Sequence, residues 1–278
     1  MLNIEKVKEE LRREGIESEQ ITIVKNNIEC RGIRVITSDH PSISPVIYFS
    51  EQDTLESFLF KIHAVLSLDN PQIDVKKLTD LEYVKSHLTL GIQRKSTNTN
   101  LVKKDLLNLE LFMKITLDIK NTDDIGTCKL NRELQNRLNV TEKELWEAAF
   151  ANTVSHYSIK SMYEMCGVEN TDDCMMYVVT SSLQNAATAL CFPELFSEFC
   201  AEKGEDGCYI LPSSTEELIV LPQSAVKKAG MSVTDLANMV QSVNEEAVEP
   251  EIQLDPIVYY YNIGCNKIQI VATYQKEQ

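Results

Sequence analysis

The sequence predicts an α+β protein with mostly antiparallel sheets and packed helices. Three observations carry that prediction. A stretch from Met175 to Pro222 orders turn, helix and strand signals densely. Two hairpin-like segments sit near either end of the chain. Helices with recognisable caps lie between them.

The central stretch anchors the rest. Met175 to Val179 is a short apolar, β-branched run that ends in Thr180-Ser181-Ser182, so it reads as a strand entering a turn. Ala186 to Phe192, stopped by Pro193, reads as a second strand, because seven residues is short for a helix. Pro193 suits a first helical position, Leu195, Phe196, Phe199 and Cys200 share a helical face, and Gly204 suits the C-terminal cap. Cys208 to Leu211 and Glu217 to Leu221 are two further strands, ended by Pro212 and Pro222. With a later helix and hairpin, the C-terminal half reads strand-strand-helix-strand-strand-helix-strand-strand.

Taken in order, the chain starts with an amphipathic helix over residues 1–14, with Leu2, Ile4, Val7 and Leu11 inward and a stop at Gly15. Ile21 to Lys25 and Ile28 to Thr37 pair about an Asn26-Asn27 turn. Val46 to Phe49 is a short strand, and Asp53 or Thr54 caps a helix carrying Leu55, Phe58, Ile62 and Leu66. Tyr83 to Arg94 fits helix or strand. Leu106 to Ile119 alternates as one long strand, Ile125 to Leu130 as another, and Asn131 caps a short helix. Thr141 and Glu144 form a capping box before Leu145, Trp146, Ala149 and Phe150. Ile159 to Met165 continues as strand. Ser232 and Asp235 cap a helix with Val233, Leu236, Ala237, Val240 and Val243 on one face, and Ile257 to Tyr261 pairs with Lys267 to Thr273. A division into an N-terminal region 1–98 and a C-terminal core 99–278, or one continuous domain, is expected.

Composition narrows the class further. The 278 residues are 43% hydrophobic and 25% charged, ordinary for a globular protein. The charged amphipathic start lacks the apolar core of a signal peptide, and no apolar run reaches membrane-spanning length, so a cytoplasmic location without membrane contact is expected. The eight cysteines then read as reduced, mostly buried thiols. The formal charge of −15 is uneven: from Ser158 onward 18 Asp and Glu face 6 Lys and Arg, a net −12. Such a field repels phosphate backbones, so no direct nucleic-acid binding is expected.

Several segments together resemble an uncharacterised family, named only as a domain of unknown function. They are YILPSSTEELIVLP (209–222), DLANMVQSVNEEAVEPEIQL (235–254), IVYYYN (257–262), GIRVITSDHPSISPVIYF (32–49) and LNVTEKELWEAAFANT (138–153). Members of that family are mostly cytoplasmic proteins of gut Firmicutes. The resemblance implies a bacterial, soluble α+β protein and carries no activity.

Chemistry-bearing residues are sparse. Ser213 and Ser214 lie between two strands, and a hydroxyl nucleophile there would need His156 as base and an acid such as Glu216. No G-x-S-x-G elbow accompanies them, and serines after a proline commonly bond nearby backbone. Thr180, Ser182, Asn185 and Glu217 are the candidate ligand-binding side chains of the neighbouring turns. The histidines and cysteines lack metal-ligand spacing and the nine glycines form no phosphate loop, so neither metal nor cofactor is expected. Asp172-Asp173 and the acids around Glu245 read as solvated faces. Tyr259, Tyr260 and Tyr261 alternate across a strand and read as cross-strand packing. The leading expectation is a non-catalytic protein that meets a protein partner through its acidic C-terminal half. A small hydrolase or transferase using Ser213 or Ser214 is the first alternative. The second is a small-ligand-binding domain with a pocket between the central sheet and the helix at Ser232 to Ala247.

Overall fold

The computed structural model describes residues 3–36, 44–50, 52–67, 74–118, 125–168, 174–212 and 214–275. The chain divides into two compact units, Met1–Gln72 and Ile73–Gln278. This division falls before the expected boundary at residue 98, because the segment 81–94 pairs and packs within the second unit.

The first unit follows from its local signals. Helix α1 (Ile4–Arg13) is capped by the Asn3 side chain and buries Val7 and Leu11. Strands β1 (Glu17–Lys25) and β2 (Ile28–Ile36) pair in full antiparallel register across Asn26 and Asn27, whose φ values of 48° and 65° give the turn its matching twist. Strand β3 (Val46–Tyr48) completes a three-stranded sheet in the order β1-β2-β3, and α2 (Leu55–Ser67) follows, with the Thr54 hydroxyl accepting from Ser57 N–H. Val7, Leu11, Ile33, Val35, Ile47, Phe58 and Ile62 form its core.

In the second unit, the ambiguous segment resolves into both structures: α3 (Leu81–His87), capped by Asp80, runs directly into β4 (Leu88–Arg94). The expected long strand over 106–119 is instead a hairpin. Leu107, at φ 55°, turns β5 (Lys103–Leu106) into β6 (Leu109–Asp118). Strands β5 and β7 (Ile125–Lys129) lie end to end along one edge of β6, and β4 pairs along the other. Helices α4 (Arg132–Leu138) and α5 (Glu142–Thr153) follow, capped by Asn131 and by the Thr141/Glu144 box.

The remaining strands form one sheet. Strand β8 (Tyr157–Ser161) leads into the single-turn helix α6 (Met162–Met165), so the strand expected to reach Met165 ends at Ser161 in a capping box with Glu164. After β9 (Tyr177–Ser181), residues Ala186–Cys191 wind as a 3-10 segment rather than the expected strand. Its small side chains allow tight burial, and its amides bond elsewhere: Ala186 N–H to Glu216 O at 3.3 Å and Ala187 N–H to Thr215 O at 3.2 Å. Helix α7 (Pro193–Lys203) starts on its proline and stops at Gly204 in the left-handed region. Then come β10 (Gly207–Leu211), β11 (Leu218–Pro222), α8 (Gln223–Lys228), α9 (Val233–Ala247), β12 (Ile257–Asn262) and β13 (Lys267–Thr273). The sheet order is β13-β12-β10-β11-β9-β8, antiparallel throughout.

Alternation sorts these strands between two cores. Cys208 and Ile210, with Tyr259 and Tyr261, join a large core shared with β4, β6, α5 and α7. Leu211 and Val258 face the opposite way, against Leu236, Ala237 and Val240 of α9. Strands covered on both faces lose the polar half of their alternation, which is why they read as unbroken apolar runs. On α9 the expected Val243 points outward, and Asn244 takes the buried place, its side chain donating to Leu254 O at 2.9 Å. Tyr260 faces the α9 side and bonds Gln223, while Tyr259 and Tyr261 bond Asn108 and Asn266, so all three phenols serve packing with a satisfied hydroxyl. The fold is α+β with antiparallel sheets, as the sequence indicates.

Candidate functional site

The turn after β9 and the loop between β10 and β11 meet, and this brings most of the predicted polar residues to one end of the six-stranded sheet. The two Ala186 and Ala187 amide bonds to Glu216 and Thr215 lock the loops together. Ser214 is buried, and its hydroxyl accepts from Glu216 N–H at 3.1 Å and Glu217 N–H at 3.3 Å. Its oxygen is therefore occupied in shaping the loop, and Thr215 N–H to Ile252 O at 2.9 Å fastens the same loop from behind. Ser213, like Asp172 and Asp173, lies outside the described residues.

His156 does not meet Ser214. Its Nδ1 lies 2.7 Å from Ser182 Oγ, and Ser182 N–H donates to His156 O at 3.2 Å. The pair arises because His156 and Ser182 stand opposite each other, one residue beyond the β8–β9 ladder. An imidazole touching an exposed hydroxyl is the first requirement of a nucleophilic pair. The other requirements are missing among the described residues. No carboxylate bonds the second ring nitrogen. The amides beside the hydroxyl are already spent, Leu183 N–H on Ser181 Oγ and Gln184 N–H on Ser181 O, so no free donors await an oxyanion. Thr180 spends its hydroxyl on Ser158 across the strands at 3.0 Å. Asn185 starts the 3-10 segment, and its Oδ1 is buried without a hydrogen-bond partner.

Two charged residues that sequence reasoning passed over are buried in β6. Lys114 Nζ donates to Leu183 O at 3.0 Å, and burial pushes its ammonium down to about 8, partly offset by the Glu216 carboxylate. Glu110, 2% exposed, accepts from Lys103 Nζ at 2.7 Å, Gln93 Nε2 at 2.7 Å and Ser96 Oγ at 2.6 Å. Burial alone would raise its carboxyl, but these bonds outweigh burial and hold it below the usual range. The signal for both was the lone charges in LELFMKITL, four apart and so on one face of a strand. Beside them, Gly91 makes room for Phe112, whose ring would lie 2.4 Å from a Cβ there.

The space between the sheet and α9, where a ligand pocket was expected, is filled by Leu236, Ala237 and Val240 packed on Leu211, Leu221 and Val258. Open hollows lie elsewhere. One of about 560 Å³ sits over Trp146 of α5, where Lys104 and Lys143 face Glu142 and Glu147. Another, of about 370 Å³, runs between β8 and α7, with Tyr177 and Phe199 beneath Glu164, Glu198 and Glu202. Among the described residues no group of three His, Cys, Asp or Glu is arranged to hold a metal, and no helix is long and apolar enough to cross a membrane. All eight cysteines are free thiols.

In comparison with known proteins, the model of a family described as "Family of unknown function (DUF5688)" matches residues 3–263. No curated protein matches, and no solved structure matches.

Proposed function

The chain belongs to this family of unknown function, and from that premise we propose that it is a non-catalytic bacterial protein of the cytoplasm whose acidic second unit docks a basic partner protein. The observation that carries this reading is the state of its carboxylates. Glu194 and Glu198 on α7, Glu217 in the β10–β11 loop, and Glu246 and Glu249 at and beyond the end of α9 are exposed. None of them has an ion-pair partner among the described residues. By contrast, acids before residue 158 are repeatedly paired, as in Arg13–Glu10, Lys61–Asp53, Lys103–Glu110 and Arg132–Glu142. Unneutralised charge of one sign steers a partner of the other sign and speeds encounter.

The hydroxyl groups support the non-catalytic side of the reading. Ser214 and Thr180 are engaged in local bonds, and the Ser182–His156 contact stands without the donors that acyl transfer requires.

The test compares partner capture by the wild-type chain with capture by a variant carrying E194Q, E198Q, E217Q, E246Q and E249Q. Basic proteins should be retained by the wild type at low salt, and lost both at high salt and from the variant. Equal recovery on the two chains at low salt would refute docking by these carboxylates. Labelling of Ser182 by a fluorophosphonate would refute the non-catalytic assignment.

A further inference from the structure

Strand β8 is an outer strand of the six-stranded sheet, bonded to β9 on one side only. The register shows which of its backbone groups remain open. Ser182 N–H donates to His156 O, and Met162 N–H to Met176 O. In an antiparallel ladder bonded pairs alternate, so residues 156, 158, 160 and 162 turn their amides and carbonyls toward β9. Tyr157 and Ile159 turn theirs away, and none of those groups has a partner among the described residues. Ser161 closes the row: its N–H is held by Glu164 at 2.8 Å.

This open edge borders the groove against α7. The half-buried side chains of Tyr157, Ile159 and Leu195 form its apolar wall, and Glu198 and Glu202 stand on the helix above them. Glu164 adds a third carboxylate at the end of β8; among the described residues Lys203, which bonds Glu202 at 2.9 Å, is the one ammonium lining the groove, and Lys160 of β8 also lies near Glu164. Glu198 is exposed and has no bonded partner among the described residues. The opposite outer strand differs: β13 carries Lys267 and no carboxylate through Thr273.

We propose that the groove along β8 receives an extended, basic segment of a partner protein, which adds to the sheet as a strand beyond β8 and sets Lys or Arg side chains against Glu198, Glu202 and Glu164. Main-chain bonds to Tyr157 and Ile159 hold the segment, and the carboxylates select its charge. This inference rests on the acidic-docking reading and names its site and occupant.

The test uses the full chain and a fluorescein-labelled, end-blocked peptide of alternating Lys and Val, with binding read by anisotropy at about 0.1 M salt. Two versions of the peptide are N-methylated at every second amide, one in each phase, which leaves charge unchanged. Saturable binding of the parent is expected, with at least one methylated phase weakened about tenfold or more. E198K with E202K should weaken the parent about tenfold or more, while the same charge change placed on α4 and α5, E133K with E147K, leaves it within about twofold. Equal binding of all three peptides would overturn strand addition while leaving charge-based docking standing. Equal loss in the two double variants would place binding in the general acidic field and overturn the groove. Absence of parent binding would overturn the groove as well, and the capture experiment on the glutamine variant judges the broader reading separately.

Discussion

Replacing Lys114 with Met removes a buried ammonium whose only hydrogen bond among the described residues goes to Leu183 O. In the folded chain this group titrates at about 8, against an ordinary 10.5. With each tenfold change in proton affinity counting about 1.4 kcal/mol, holding the charge in place costs the native state about 3 kcal/mol at neutral pH. Below pH 8 both folded and unfolded chains keep the proton, and the cost is constant. Between 8 and 10.5 the folded chain has released it while the unfolded chain retains it, so stability climbs with pH across that window. The buried phenols of Tyr157 and Tyr259 and the Cys191 thiol, all pushed up by burial, act in the opposite sense, which makes the raw pH curve a mixture. Subtracting the K114M curve cancels them. The measurement is urea unfolding followed by the single tryptophan, Trp146, which is buried in the second unit and reports on that unit alone. K114M also strands the Leu183 carbonyl, at about 1–3 kcal/mol, but that loss does not depend on pH. The expected result is a wild-type stability that gains about 3 kcal/mol on K114M between pH 7 and 10.5. A difference flat to within about 0.5 kcal/mol would show that the ammonium is hydrated and that the burial argument is mistaken.

Other substitutions test neighbouring parts of the argument. E110A leaves Lys103, Gln93 and Ser96 without their common acceptor and should cost about 3 kcal/mol in the same unfolding assay. Because the Glu110 carboxyl is held below its ordinary 4.5, its contribution is present above that pH and is lost as pH falls through the folded value. G91A forces the Phe112 ring to move and should cost about 1–3 kcal/mol, whereas the pair G91A/F112L should recover part of that loss. Thiol titration of the native chain should label exposed Cys166 and Cys265 first, Cys128 and Cys191 slowly because burial raises both, and Cys30, Cys174, Cys200 and Cys208 only on unfolding. Rapid native labelling of Cys200 or Cys208 would contradict the packing of α7 on β10.

Local chemistry was legible wherever a rule acts over a few residues. The Thr141/Glu144 and Ser232/Asp235 boxes, the Asn26-Asn27 turn, and the Pro193 start and Gly204 stop of α7 all stand where the sequence puts them. Each of these depends on one side chain or one backbone angle meeting its immediate neighbours. Misreadings came where neighbours do not decide. The alanines at 186–189 suit a strand or a tight helix equally, and two amide bonds to a loop some thirty residues away chose the latter. Leu107 carries no turn signature, and only the pairing of β5 on β6 holds it at positive φ.

The site divided in the same way. Sequence placed the hydroxyls in turns and suggested that they shape backbone, which Ser214 does. That His156 faces Ser182 rather than Ser214, that Lys114 is driven into the interior, and that β8 is left with an open side follow only from strand order. Caps and turns are settled by contacts within about four residues, whereas strand order depends on which distant segments bury their apolar faces together, a choice the whole chain makes at once.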